Sequence, residues 1–175
     1  FRRVLFRSLF NSNQRPAVDV GISVSRVGGD AQVKAMKKVS GTLKITLAQY
    51  RDMQAFAMFA SDLDATTKRQ LTRGARLMEL LRQPQATPYE VEDQVCSIWA
   101  GTSGYLDDIE VSDVHRFESE MLAYLHANSD VPAKIKETGQ FDSDTEQALK
   151  AAVEKFRSGF VSSQGVLESE VNIPE

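Results

Sequence analysis

Helical periodicity over most of the chain is the feature that most limits its fold. Between Leu43 and Ala57, apolar and small side chains recur at the spacing of one face of an α-helix. The same spacing returns in later segments, with stripes through Leu71, Met78 and Leu81; Val91, Val95 and Trp99; Val114, Phe117, Met121 and Leu125; and Leu149, Val153, Phe156 and Phe160. The chain is therefore predicted to be mainly α, with a carboxy-terminal helical bundle.

Capping patterns predict where two of these helices begin. Thr87 is followed by Pro88, which suits a first helical position, and by Glu90, which would complete a capping box. Ser143 and Glu146 have the same spacing before the last apolar stripe. Both patterns predict that helices begin at these points, after turn-forming residues.

Bulk composition excludes several classes of protein. With 175 residues, 42% of them hydrophobic, the sequence is long enough to bury one core and part of a second. Its apolar runs, such as Ala57 to Ala60, are far shorter than the roughly 20 residues that a membrane span needs. The single cysteine, Cys96, rules out a disulfide framework and favours a reducing compartment.

The net charge of −3 is unevenly distributed along the chain. Through Arg51 the chain has 10 basic and 2 acidic residues, a balance of +8, and the remainder has a balance of −11. A basic head can favour phosphate or nucleic acid, but lysines are also common on solvated helix faces. The interleaved aromatic residues of single-strand binders are absent near these lysines. Residues Phe1 to Ser8 resemble one translated frame of a sequencing adapter, so they are excluded from fold reasoning.

A short alternating segment precedes the helices. Val18 to Val24 alternates in polarity as a strand does and leads to Arg26, which is followed by the glycine pair Gly28-Gly29. An arginine on a strand-to-loop turn is held in place yet exposed, as is needed to direct a guanidinium at a phosphate of a neighbouring subunit. No G-x-x-x-x-G-K-[ST] loop is present, so the chain is predicted to have no nucleotide-hydrolysing activity alone.

With these residues in view, the chain resembles the alpha subunit of the F-type ATP synthase family. The resemblance extends from Leu9 to about Phe160. It is carried by Arg15-Pro16-Ala17-Val18, by Gly21 to Gly29, by Leu47-Ala48-Gln49-Tyr50-Arg51, by Ala60-Ser61-Asp62-Leu63-Asp64 and by Gly104-Tyr105-Leu106. After the adapter-like scar at 1–8, three segments are expected: the end of a truncated α/β nucleotide-binding domain at 9–32, a helical domain at 33–161 and a flexible tail at 162–175.

The resemblance implies a catalytic role for two residues. Arg26 matches the arginine that an alpha subunit inserts into the catalytic site of the adjacent beta subunit, where it stabilises charge on the transferring phosphoryl group. Ser23 matches a serine that the family needs for activity, and it is expected to set the strand that directs Arg26.

The resemblance also implies a second nucleotide site. Arg15, Pro16, Gln83 and Gln85 match positions at the adenine end of the non-catalytic site, which holds ATP or ADP with Mg²⁺; no metal ligands are expected in this chain. Amide groups can pair with base edges, and a proline or guanidinium can pack on a ring. Pro84 stands where many relatives carry glycine, which changes the expected loop.

Partners and location follow from the same resemblance. The expected partners are the beta subunit, in an alternating hexamer, the gamma rotor and the delta subunit. The expected location is the cytoplasmic face of the bacterial plasma membrane, as a peripheral part of a proton-translocating complex.

The residues alone also allow a free helical interaction module without a nucleotide role. A self-contained enzyme is not favoured, because His115 and His126 lie about 16 Å apart on one helix and Cys96 lies in an apolar stripe.

Overall fold

The computed structural model describes residues 9–11, 14–20, 23, 25–57 and 63–162, with backbone only at 55–57. Within these ranges the protein is helical and has no strand, so the prediction of a mainly α fold is confirmed. A 3₁₀ turn, Val111–Asp113, leads into α5. The helices are α1 Arg26–Ala31, α2 Lys34–Ala57, α3 Ala65–Leu80, α4 Val91–Thr102, α5 Val114–Asn128, α6 Val131–Thr138 and α7 Ser143–Arg157.

The predicted apolar stripes form the core of the bundle. Helix α2 packs against α3 and α4, and α5 packs against α3, α6 and α7. Phe117 is fully buried and meets the ring of Phe156 edge-on at a centroid distance of 5.2 Å, and the ring of Phe160 at 5.0 Å. Burial of each aromatic or aliphatic side chain stabilises the fold by about 1.5–3 kcal/mol through lost apolar exposure, so this cluster holds α7 against α5.

Close approach of α2 and α3 depends on a glycine. A Cβ atom added to Gly74 would lie 2.2 Å from two ring atoms of Tyr50. Real side chains do not approach so closely, and the ring of Tyr50 therefore fills the space that any other residue at position 74 would need. Gly41, on α2, has no atom within 4 Å of the equivalent position.

The predicted start of α4 is wrong. The helix begins at Val91, and the side chain of Glu90 at the cap position makes no capping bond. The Thr87 hydroxyl instead donates to the Pro84 carbonyl at 2.8 Å, which stabilises the turn between α3 and α4. Pro88 therefore lies before the helix and not at its first position, where a residue without an N–H is well tolerated.

The predicted cap of α7 is wrong by one residue. Asp142 is the capping residue, and its carboxylate accepts a hydrogen bond from the Thr145 amide at 2.7 Å. The Glu146 carboxylate is used elsewhere, because it pairs with Lys38 of α2 at 2.5 Å and accepts from Trp99 Nε1 of α4 at 3.1 Å. Tertiary contacts therefore replace the expected capping box.

The predicted strand before Arg26 is not confirmed. Residues 18–20 and 23 lie outside any strand, while 21, 22 and 24 are outside the described residues. The predicted loop at Arg26 is wrong, because Arg26 begins α1, which is capped by the Ser25 hydroxyl accepting from the Gly28 amide at 3.0 Å. A lone strand has no ladder to join, since the described part of the chain offers it no second strand.

Several predictions fall on residues that the structure does not describe. The adapter-like segment 1–8 and the tail from 163 onward lie outside the described ranges. Among the helices that are described, none has the length and apolar character needed to cross a membrane.

Candidate functional site

Four residues predicted to bind a nucleotide line one open cleft. Arg15 and Pro16 come from the segment before α1, and Gln83 and Gln85 come from the turn after α3. The cleft has a volume of about 590 Å³. Its other lining residues are Phe10, Ala17, Pro84 and Ala86. Two segments that are far apart in sequence thus form a single site.

Backbone contacts hold the two walls of the cleft together. The Gln83 amide donates to the Arg15 carbonyl at 2.9 Å, which joins the turn after α3 to the segment before α1. Ala86 closes that turn with a positive φ of 59°, an uncommon conformation for a residue other than glycine. The guanidinium of Arg51 on α2 pairs with the buried Asp19 carboxylate, so the first wall is also attached to the bundle.

The side chains of the cleft differ in what they have left to offer a ligand. Gln83 Nε2 already donates to the Thr87 carbonyl at 2.6 Å, so one N–H and the amide oxygen remain available. Gln85 is exposed and makes no side-chain hydrogen bond within the described ranges, so its whole amide is available. The Arg15 guanidinium lies 4.5 Å from the centre of the Phe10 ring, which gives the cleft a flat cationic and aromatic wall.

The two residues with predicted catalytic roles lie outside this cleft. Arg26 is exposed at the first position of α1, and its guanidinium has no hydrogen-bond or ion-pair partner in the part of the chain that is described. Ser23 is also exposed, and its amide donates to the Asp19 carbonyl at 2.9 Å. The structure therefore separates the predicted residues into a cleft with a hydrogen-bonded frame and a free guanidinium on a short helix.

Other chemically active side chains have structural partners. His126 Nε2 lies 2.7 Å from an Asp93 oxygen. Cys96 is buried, and burial raises the pKa of its thiol to about 12, so it is a core residue and not a nucleophile. Within the described ranges, no group of three or more His, Cys, Asp or Glu residues could hold a metal ion.

Three contributors to the cleft are missed by reasoning from the sequence. Phe10 lies in a turn-rich segment, and only its aromatic character next to an arginine-proline pair gives a signal. Ala86 gives no signal, because nothing in its residue type indicates a positive φ. The Arg51–Asp19 ion pair joins residues that are 32 positions apart. Arg51 lies within one motif that carries the family resemblance and Asp19 directly follows another, but neither motif indicates that the two residues pair.

Comparison with known proteins gives consistent matches. The sequence profile described as "ATP synthase alpha/beta chain, C terminal domain" matches residues 32–156. The protein "ATP synthase subunit alpha" of Cutibacterium acnes is 66% identical over 157 residues, which cover 90% of this chain and 29% of that protein. The protein of the same name from Paenarthrobacter aurescens is 67% identical over 152 residues, which cover 87% of this chain and 28% of that protein. The chain thus spans less than a third of the length of these relatives.

Proposed function

Because the protein belongs to the family of ATP synthase alpha/beta carboxy-terminal domains, we propose that it works as the carboxy-terminal part of an alpha subunit in a proton-translocating F-type ATP synthase. Its resemblance to alpha subunits is confirmed by relatives of that name at about 65% identity. In the proposed role the chain does not hydrolyse ATP alone. It completes a catalytic site whose phosphate-binding loop belongs to a beta subunit.

The observation that carries this proposal is the state of Arg26. Arg26 is exposed, and its guanidinium pairs with no acid in the described ranges. It stands at the start of a helix that buries none of its side chains in the bundle. This arrangement leaves a guanidinium free to enter a site on another subunit, where its planar donors can bind the oxygens of a transferring phosphoryl group.

The remaining partners and the location belong to the same proposal. Alternation with beta subunits places Arg26 at the boundary between subunits, and the gamma rotor and the delta subunit complete the soluble head. The complex is peripheral at the cytoplasmic face of the bacterial plasma membrane and is coupled to hydrogen ion transport through its membrane sector.

A crosslinking experiment tests whether position 26 reaches a partner. Arg26 is replaced by the photoreactive residue p-benzoylphenylalanine in the complete alpha subunit, which is then assembled with beta and gamma. Irradiation is expected to attach alpha to a peptide of the beta nucleotide site, identified by mass spectrometry. The control carries the same residue at Lys150, whose side chain is 60% exposed on α7. Crosslinks from position 26 that stay within alpha would contradict the proposal.

We infer a second role for the cleft as the adenine end of a non-catalytic site for ATP or ADP with Mg²⁺. Its support is the position of Arg15 and Pro16 opposite Gln83 and Gln85 across about 590 Å³ of open space. The flat Arg15–Phe10 wall suits a planar ring, and the unpaired Gln85 amide suits the donor and acceptor pattern of a base edge. The metal ligands of such a site are supplied by residues outside this chain.

Substitution in the cleft gives a measurable prediction. In the complete subunit, Gln85→Ala is expected to weaken adenine nucleotide binding about three- to tenfold, because one or two hydrogen bonds to the base are lost. Equilibrium dialysis with labelled ATP in the presence of Mg²⁺ measures the change. Gln147→Ala removes the same exposed amide from α7 and should leave the affinity unaltered. Equal affinities for the two variants would refute this role of Gln85.

A further inference from the structure

A second cavity lies between the end of α3 with the turn after it, α4 as far as Ile98 and the first half of α5. Its volume is about 250 Å³, and Leu80, Leu81, Pro88 and Ile98 provide its apolar walls. The polar lining residues are Arg82, Gln83, Tyr89, Gln94, Ser97 and Glu118. Gln83 borders both this cavity and the cleft, but the other lining residues differ.

Two buried polar groups of this cavity lack strong partners. Glu118 is only 5% exposed, and its carboxylate is approached by Tyr89 Oη and by His115 Nδ1, each at 3.5 Å. No lysine or arginine nitrogen of the described residues lies within ion-pair distance of it. Burial raises the pKa of Glu118, and the Ser97 and His115 side chains offset only part of that effect. The Ser97 hydroxyl oxygen is itself buried and makes no hydrogen bond of normal geometry.

The charged groups at the cavity are two carboxylates, Glu79 and Glu118, the Arg82 guanidinium and the His115 imidazole. Arg82 is the lining residue that carries a positive charge, and its guanidinium pairs with Glu79, so it does not compensate Glu118. Its Nε is a further buried donor without a partner. His115 lies between the two carboxylates, 3.6 Å from Glu79 and 3.5 Å from Glu118. A buried carboxylate whose nearest basic group is an imidazole at 3.5 Å keeps part of its desolvation cost, and a ligand that brings a permanent cation lowers that cost further.

We propose that this cavity binds a small primary amine with an apolar body. The ammonium group donates hydrogen bonds to the Glu118 carboxylate and the Ser97 hydroxyl. The hydrocarbon part lies against Leu80, Leu81 and Ile98. An anion is disfavoured, because it would face Glu118 directly, and a neutral ligand would leave the carboxylate with only the His115 imidazole beside it.

A matched pair of probes tests the role of the cation. The 175-residue chain, labelled with ¹⁵N, is titrated with phenethylamine and with 2-phenylethanol, which has the same ring and linker but a hydroxyl in place of the ammonium group. Phenethylamine is expected to shift the amide signals of Ser97, Ile98 and Glu118 and to bind at least about tenfold more tightly than the alcohol. Equal binding of the two probes, shifts that map elsewhere, or no binding of phenethylamine would each overturn the proposal.

Substitutions test the contributions of Glu118 and Ser97 to amine binding separately. Glu118→Gln keeps the shape but removes the charge, and it should weaken phenethylamine binding about tenfold while leaving 2-phenylethanol binding within about twofold. Ser97→Ala should weaken phenethylamine binding by a smaller factor, and it provides an independent test if the Glu118 variant does not fold. Glu120→Gln changes a half-exposed acid on the same helix, outside the cavity, and should have no effect. Unchanged amine binding in both cavity variants would refute the assignment.

Discussion

Replacing Arg26 by lysine in the complete alpha subunit, assembled with beta and gamma, is expected to lower multisite ATP hydrolysis about 10³-fold. Lysine keeps the positive charge but lacks the planar set of donors that can bind two phosphoryl oxygens at once. Arginine residues supplied across a subunit boundary contribute about 10³–10⁵ to turnover, so the expected loss corresponds to about 4 kcal/mol of transition-state stabilisation. Steady-state hydrolysis at saturating ATP measures the effect.

Nucleotide affinity should change little in the same variant, because the guanidinium acts on charge that develops only in the transition state. Binding of labelled nucleotide to the assembled complex distinguishes this loss from a failure of assembly. Arg69→Lys is the matched control, since Arg69 is also an exposed helical arginine and lies outside the cleft and α1. Unchanged turnover in the Arg26→Lys complex, or an equal loss in the Arg69→Lys complex, would exclude the proposed role.

Replacing Gly74 by alanine is expected to destabilise the fold by about 1–3 kcal/mol. The new methyl group would lie 2.2 Å from the Tyr50 ring, so either the ring must leave its position or α2 and α3 must move apart. Both helices belong to the packed core, where neither adjustment is free. Urea denaturation followed by circular dichroism measures the change in the free energy of unfolding.

Gly41→Ala is the matched control, because it makes the same substitution in the interior of a helix with no atom within 4 Å of the new group. Alanine loses less conformational entropy than glycine on forming a helix, so the free energy of unfolding of this variant should rise by about 0.5–1 kcal/mol. The two substitutions are therefore expected to change the free energy of unfolding in opposite directions. A stabilised Gly74→Ala variant would show that α2 and α3 do not approach as described.

Helix identity is largely predictable from this sequence, whereas helix boundaries are not. Apolar stripes mark α2 to α5 and α7, because burial of one face imposes the 3.6-residue spacing on the sequence. Gly139, which ends α6 with a φ of 62°, is also recognisable from its type. The cap of α7 is not predictable, since Asp142 and Ser143 are adjacent and equally suitable, and Glu146 is held by residues more than 40 positions away.

The candidate site is even less accessible to local reasoning. Arg15 and Gln83 are joined through a backbone hydrogen bond across 68 positions of sequence, and no periodicity indicates that contact. Their selection as site residues depends on the family resemblance. Arg26 is selected both by the local sequence pattern and by the family resemblance. Its secondary structure is nevertheless predicted wrongly, because the alternation before it suggests a strand, whereas the Ser25 hydroxyl caps a helix that begins at Arg26.

The short length and exposure of α1 limit how well the bundle can fix the orientation of Arg26. This helix contains six residues, none of them buried, whereas isolated helices need roughly 12–15 residues to persist in water. The bundle therefore contributes little to the orientation of Arg26, and in the proposed role the precision of that guanidinium must come from the partner surface that contacts α1. If Arg26 has the proposed role, substitutions in the core and substitutions at that partner surface should act on independent properties, namely the stability of the fold and the geometry of the proposed catalytic contact.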